Sequence, residues 1–149
     1  MSRRATFLVC DEILFSLHGK LFPNGVYSAD IGIPTSELII PQLAFLFIIE
    51  MPIDDEATTI LVRVELPDRV SSAQGSHPVA HPAHIEGRST FLHKVPLLMP
   101  NPILTPGPIK GFVDFGDEEI VAGEQWITLT SARNALLEMI QAPPKKQKK

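Results

Sequence analysis

The sequence predicts a mainly β chain: a single antiparallel β-sandwich of about seven short strands, closed by a short C-terminal helix. Three observations carry this prediction. Fourteen prolines in 149 residues are about twice the average share and favour short strands between turns over long helices. Apolar residues recur at a two-residue period in several segments, most clearly in Thr58–Leu66, which is the signature of a half-buried strand. Strands do not alternate with helical patterns, which argues for stacked antiparallel sheets over a βαβ architecture. At this length one core can bury about two-thirds of the unfolded surface without a disulfide or metal. Residues 1–142 are accordingly read as one domain and 143–149 as a basic tail.

The opening strand is Ala5 to Phe15, followed by a turn at Leu17-His18-Gly19-Lys20. A second strand region runs from Lys20 to Ile33, with a bend or bulge at Asn24-Gly25. Gln42 to Met51 is apolar on both faces, as a central strand covered on both sides would be. It is expected to pair with Thr58–Leu66, where Ile60, Val62, Val64 and Leu66 share one face, as an antiparallel hairpin at the centre of the domain with Pro52–Ala57 as its loop. Asp68 to Ser89 lacks an apolar period and reads as a long irregular loop. Beyond it, Phe91, His93, Val95 and Leu97 alternate along a strand that Pro96 places at a sheet edge. Pro100–Pro108 reads as an extended connector, and Ile109–Phe115 forms a hairpin with Glu119–Thr130 across Gly116-Asp117-Glu118. In Ser131–Gln141 the residues Ala132, Ala135, Leu136, Met139 and Ile140 stand at helical spacing, with Ser131 as N-cap and Pro143-Pro144 as the stop.

The net charge of −4 conceals an asymmetry. Arg3, Arg4, Lys145, Lys146, Lys148 and Lys149 supply six of the thirteen basic residues, which leaves seven against all seventeen acidic ones in the body. A body of charge −10 repels phosphate backbones, so no nucleic-acid partner is expected. The longest apolar run, Leu38 to Ile49, is interrupted by Pro41 and Gln42 and falls short of a membrane span. A single cysteine, Cys10, permits no intramolecular disulfide and fits a reducing cytoplasm. Met1–Cys10 imitates an exported leader, but its apolar run is too short and Asp11-Glu12 follow at once. The expectation is a soluble cytoplasmic chain with no membrane partner and no cofactor.

Ser76–Gly87 holds His77, His81, His84 and Glu86, a metal-site candidate. Zinc needs three or four ligands about 2 Å from one point. The histidine spacings would suit a helix, yet Pro78 and Pro82 push the preceding histidines toward extended backbone, which splays the rings. Asp11 falls on the apolar side of strict alternation, which calls for a bulge turning Asp11-Glu12 outward or a side-chain bond to the nearby turn. The acidic loops Asp54–Ala57 and Gly116–Glu119 lack the ligand spacing of a dedicated calcium loop. His93 reads as a core histidine and Cys10 as a small buried apolar residue. Nucleophile, phosphate-loop and dinucleotide motifs are absent.

The stretch Val9–Pro34, through Cys10, Asp11, Gly19, Lys20, Gly25, Val26 and Tyr27, resembles the opening of a family of small uncharacterised bacterial proteins. The resemblance implies an immunoglobulin-like or related sandwich and no particular reaction. The functional expectation is a non-enzymatic interaction or structural module that binds a protein partner or self-associates along a sheet edge. Two alternatives accompany it: a metal-binding protein or metal-assisted hydrolase using His77, His81, His84 and Glu86, and a small-ligand or sugar-binding domain with Trp126 as platform.

Overall fold

The computed structural model describes residues 2–130. They form eleven β-strands: β1 (Arg4–Phe15), β2 (Leu21–Val26), β3 (Ile31–Ile33), β4 (Leu38–Ile39), β5 (Gln42–Pro52), β6 (Thr59–Glu65), β7 (Ser72–Pro78), β8 (Thr90–Pro100), β9 (Ile103–Leu104), β10 (Gly107–Asp114) and β11 (Glu119–Leu129). The described residues contain no helix; the predicted C-terminal helix and basic tail lie outside them. A four-stranded sheet has the order β2-β1-β5-β8, a five-stranded sheet the order β3-β11-β10-β6-β7, and β4-β9 form a small ribbon. Pairing is antiparallel except between β3 and β11.

Eleven strands replace the seven expected, and the four extra ones have identifiable causes. Three of them, β3, β4 and β9, are two or three residues long, set by pairing across the fold rather than by any pattern a sequence window reveals. The fourth, β7, lies inside the segment expected to be one long irregular loop. It pairs with β6 from Thr59↔Pro78 to Glu65↔Ser72. Its inward positions Ala73, Gly75 and His77 are small or polar, so it shows no apolar alternation. The Asp68 carboxylate sets up its entry by accepting hydrogen bonds from Val70 N, Ser71 N and Ser71 Oγ at 3.1, 2.9 and 2.6 Å, an Asx turn that holds Arg69 at φ 59°.

The inner faces of both sheets share one core. Phe45, Phe47, Ile49 and Met51 of β5 meet Ile60, Val62, Val64, Ile109 and Val113 of β6 and β10, and all of these are fully buried. The backbone approaches closely where β1 crosses β10 and β11. Phe7 stacks on Phe47 at 5.7 Å between centroids, and its ring fills the space that side chains at Gly111 and Gly123 would occupy. The β10–β11 register shifts between Gly111 and Phe112, a bulge that bends the sheet at this contact.

A Cβ at Gly111 would stand 3.0 Å from Phe7 and 3.2 Å from Phe47. Gly111→Ala is therefore expected to destabilise by about 1–3 kcal/mol through overpacking. Urea unfolding checks this, with partial recovery expected in Gly111→Ala/Phe7→Leu; an unchanged midpoint for the single variant would show that the rings yield freely.

Candidate functional site: a histidine seam, an arginine clamp and a projecting arm

The free edges β7 and β8 of the two sheets lie against one another. This seam gathers His77 from β7, His81 from the connector and His93 from β8, close enough for His77 and His81 to act on the charge of His93. The His81 Nε2 donates to the Ala57 carbonyl at 2.8 Å, and its ring meets the Phe91 ring edge-on at 5.5 Å. His84 and Glu86 are exposed and make no side-chain hydrogen bond or ion pair among the described residues. The structure thus brings together two of the four sequence-selected residues and adds His93, which alternation alone had assigned to the core. Among the described residues no group of three or more His, Cys, Asp and Glu is placed to hold a metal ion.

Burial first, and then the neighbouring His77 and His81, hold the His93 imidazole below its ordinary value of 6.5. The unfolded chain therefore binds this proton more readily, so the contribution of His93 is fully present above about pH 6.5 and declines as pH falls toward the lowered folded value. Thermal unfolding midpoints are expected to drop between pH 7 and pH 5, and His93→Phe to flatten that slope. An identical slope in the variant would remove His93 as the cause.

Beside this seam, where Ala57 accepts from His81 through its carbonyl and donates its amide to Asp55 at 2.9 Å, the two acidic loops converge on Arg3. Its Nε and Nη2 donate to the two Asp55 carboxylate oxygens at 2.6 and 2.8 Å, and Nη1 donates to Asp117 at 2.5 Å. The guanidinium also lies 4.4 Å over the Phe115 ring. Hydrogen bonding to Arg3 lowers the Asp55 pKa, opposed by burial and aided by the Ala57 amide. Of the carboxylates weighed for a cation in the sequence, Asp55, Asp117 and Glu118 are paired with this side chain and Glu119 with Arg63. Because the Asp55 side chain is only 3% exposed, Arg3→Ala is expected to cost about 1–3 kcal/mol at neutral pH by leaving a charge poorly compensated. That difference is present above the ordinary Asp value near 3.8 and shrinks as pH falls through the lowered folded value. Chemical denaturation at pH 7 and pH 2.5 measures it; a cost independent of pH would contradict the ion pair as its source.

Elsewhere, a depression of about 480 Å³ is lined by Arg63, Glu65, Arg69, Ser72 and Lys110 among others. Arg63 is engaged there by Glu65 and, at 3.1 Å, by Glu119. Cys10 is fully buried, and burial together with Asp11 pushes its thiol up to about 11, which suppresses the reactive thiolate. Trp126 is half-exposed on β11, with its indole nitrogen donating to Glu124 at 3.1 Å. Among the described residues no serine, threonine or cysteine side chain hydrogen-bonds a histidine ring.

The largest concentration of exposed apolar side chains is on the β1–β2 hairpin. Pairing of β1 with β5 stops at Cys10↔Ala44, while β1 continues with β2 alone to Phe15↔Leu21. The hairpin therefore extends past the four-stranded sheet as a two-stranded arm. Strand alternation breaks at Asp11-Glu12, both exposed, so that Cys10 and Ile13 belong to the same apolar cluster. The arm is anchored at its root by Tyr27 Oη donating to Asp11 at 2.7 Å and by Asn24 donating to Glu12 at 2.7 Å. Burial, the Asp11 hydrogen bond and nearby charge push the Tyr27 phenol up to about 12. At the tip, Ser16 Oγ accepts from the His18 and Lys20 amides and Gly19 adopts φ 71°. Leu17 there is fully exposed, Phe15 is 63% exposed, and the cross-strand pair Leu14 and Phe22 is 50% exposed on each side.

Comparison with known protein families, curated proteins and solved structures returns no match. Among the described residues no helix is long and apolar enough to cross a membrane.

Proposed function

We propose that the chain is a non-enzymatic, immunoglobulin-like β-sandwich module that works by protein contact, with the β1–β2 arm as its docking element and a second copy as the partner tested first. One observation carries this reading: five of the thirteen large apolar side chains exposed among the described residues, Leu14, Phe15, Leu17, Phe22 and Val26, lie on this one hairpin. A two-stranded hairpin is marginal in water, and apolar groups concentrated at its tip oppose solubility unless another surface covers them. The free edge of β2 adds backbone donors and acceptors on which a second strand can pair. The arm also carries the residues on which the family resemblance rests.

A reaction has less support, since the clustered histidines His77, His81 and His93 face a backbone carbonyl, an aromatic ring and one another. Wild-type protein is expected to dimerise in sedimentation equilibrium between micromolar and hundreds of micromolar concentrations. Leu17→Asp/Phe22→Asp, both at exposed positions, is expected to weaken association at least tenfold, about 1.4 kcal/mol, with thermal stability retained. A wild type that stays monomeric throughout, or a variant that associates equally well, sinks the reading.

A further inference from the structure

In the five-stranded sheet, alternation sends Ile60, Val62 and Val64 of β6 and Ile109 and Val113 of β10 into the core. Arg63, Glu65 and Lys110 therefore stand on the opposite, outer face. Register aligns polar side chains from four strands in one row across that face. Glu124 of β11 lies opposite Lys110, Lys110 opposite Glu65, and Glu65 opposite Ser72 of β7. Three gaps between neighbouring strands make the row about 14 Å long. Two residues further along β11, the half-exposed Trp126 lies opposite Pro108.

The surface is hollowed along this row. Two depressions, of about 480 and 230 Å³, share Glu65, Leu66, Arg69 and Lys110 and so form one groove. The wider part extends to Arg63, Ser71 and Ser72, and the narrower part is walled by Pro67 and Pro108. Gly107 permits that narrow part: it adopts φ 138°, and a Cβ there would stand 2.8 Å from Pro67. Arg69 occupies a turn position at φ 59°, a conformation that glycine or asparagine adopts with less strain. An arginine held there against its backbone preference puts a charged side chain on the groove, and strained residues of this kind concentrate at binding sites.

We infer that this groove binds a neutral, polyhydroxylated ligand, a short oligosaccharide. The chemistry of the row discriminates between ligand classes. Donors alternate with acceptors along it: Glu124 accepts, Lys110 donates, Glu65 accepts and the Ser72 hydroxyl does both. Among the described residues Lys110 and Arg69 enter no ion pair, so their donors are open to a ligand. Glu65 engages Arg63 through one carboxylate oxygen and Glu124 engages the Trp126 indole through one, which leaves each a second oxygen. A sugar hydroxyl donates and accepts at once and matches such an alternation. A phosphate only accepts, and would meet Glu65, Glu119 and Glu124; a metal cation would meet Arg63, Arg69 and Lys110. The three charges of each sign balance, which suits a ligand without charge. Leu66, Pro67 and Pro108 supply an apolar floor for the carbon-bound hydrogens of a pyranose ring, and a few placed polar groups over an apolar lining is the usual composition of a small-molecule site. Trp126 stands at the β11 end of the row, where its exposed indole gives a stacking surface.

The groove lies on the five-stranded sheet, so the inference is independent of the role proposed for the β1–β2 arm. Its test uses Trp126, the chain's one tryptophan, as reporter. Its fluorescence is titrated with mono- to tetrasaccharides of glucose, mannose, galactose, xylose and N-acetylglucosamine. At least one series is expected to give a saturable change, with affinity rising with chain length until the groove is filled. Lys110→Met is expected to weaken that binding at least tenfold, about 1.4 kcal/mol, and Lys94→Met on β8 to leave it unchanged. Absence of binding by every sugar at millimolar concentration overturns the inference. So does a response to inorganic phosphate in place of the sugars, which would assign the groove to anions, and so does equal affinity in Lys110→Met and the wild type. If Lys110→Met loses cooperative unfolding, amide shifts of the wild type with the best-bound sugar decide. Shifts centred on Glu65, Lys110 and Glu124 support the groove, and shifts centred on any other surface refute it.

Discussion

The rest of the structure depends on strand β5 being apolar on both faces. Leu43, Ala44, Phe45, Leu46 and Phe47 are five consecutive buried residues, and a pleated strand sends such a run alternately to opposite sides. Two consequences follow from that geometry. The strand must be central, and it is, flanked by β1 from Arg4↔Glu50 to Cys10↔Ala44 and by β8 along its whole length. The sheet must also be covered twice, because each buried large apolar side chain on either face contributes about 1.5–3 kcal/mol only while water is excluded from it. The five-stranded sheet meets the first of these demands through Phe45, Phe47, Ile49 and Met51. Ala44 and Leu46 impose the second.

What the sequence made legible follows from the same physics. Strands β5 and β6 and the β10–β11 hairpin were readable because one or both faces of each strand bury apolar groups, and burial writes a period of two or a continuous apolar run; the pairing of β5 with β6 was misread, for the chain crosses from one sheet to the other between them, so that β5 pairs with β1 and β8 and β6 with β10 and β7. The break at Asp11-Glu12 was readable because a carboxylate on an apolar face has to be re-aimed. Strand β7 was not readable, since its inward residues Ala73, Gly75 and His77 contribute little apolar surface and its identity lies in backbone pairing with β6. Nor were β4 and β9, whose pairing joins residues more than sixty positions apart; Ile31–Ile33 fell within an expected strand, but its parallel pairing with β11 was not readable. The histidine cluster was half legible. Pro78 and Pro82 were read as splaying His77 and His81, yet both come near His93 because the two sheet edges meet, which no local window encodes.

Those edges show how the sheets are held in relation to each other. Consecutive strands β2 and β3 join one pair of sheet edges, and β7 and β8 join the other. The second junction is lined with the imidazoles of His77, His81 and His93. Next to it, on the other side of Ala57, Arg3 ties the start of β1 to the loops after β5 and β10. A guanidinium suits that position because its planar fork binds Asp55 through two nitrogens while its face rests on Phe115. The acidic loops are thereby fixed by a basic residue from a chain terminus.

The break in β1 also explains why the arm is apolar on its outside. Under strict alternation, Cys10, Glu12 and Leu14 would share the outer face of the sheet, and Ile13 would point with Val9 toward the main core. The slip at Asp11-Glu12 instead moves Ile13 into the cluster with Cys10 and Leu46, where it is 7% exposed. Leu14 and its partner Phe22 are left facing the other way, beyond the point where β5 leaves β1 and beyond the reach of the main core. The break in alternation, made with the β1–β2 register unchanged from Cys10↔Val26 to Phe15↔Leu21, thus does two things at once: it secures the outer cluster at the root of the arm and exposes an apolar pair toward its tip. A strand selected only for folding would satisfy both with a polar residue at position 14 or 22, and the presence of leucine and phenylalanine there makes contact with another surface the more economical explanation.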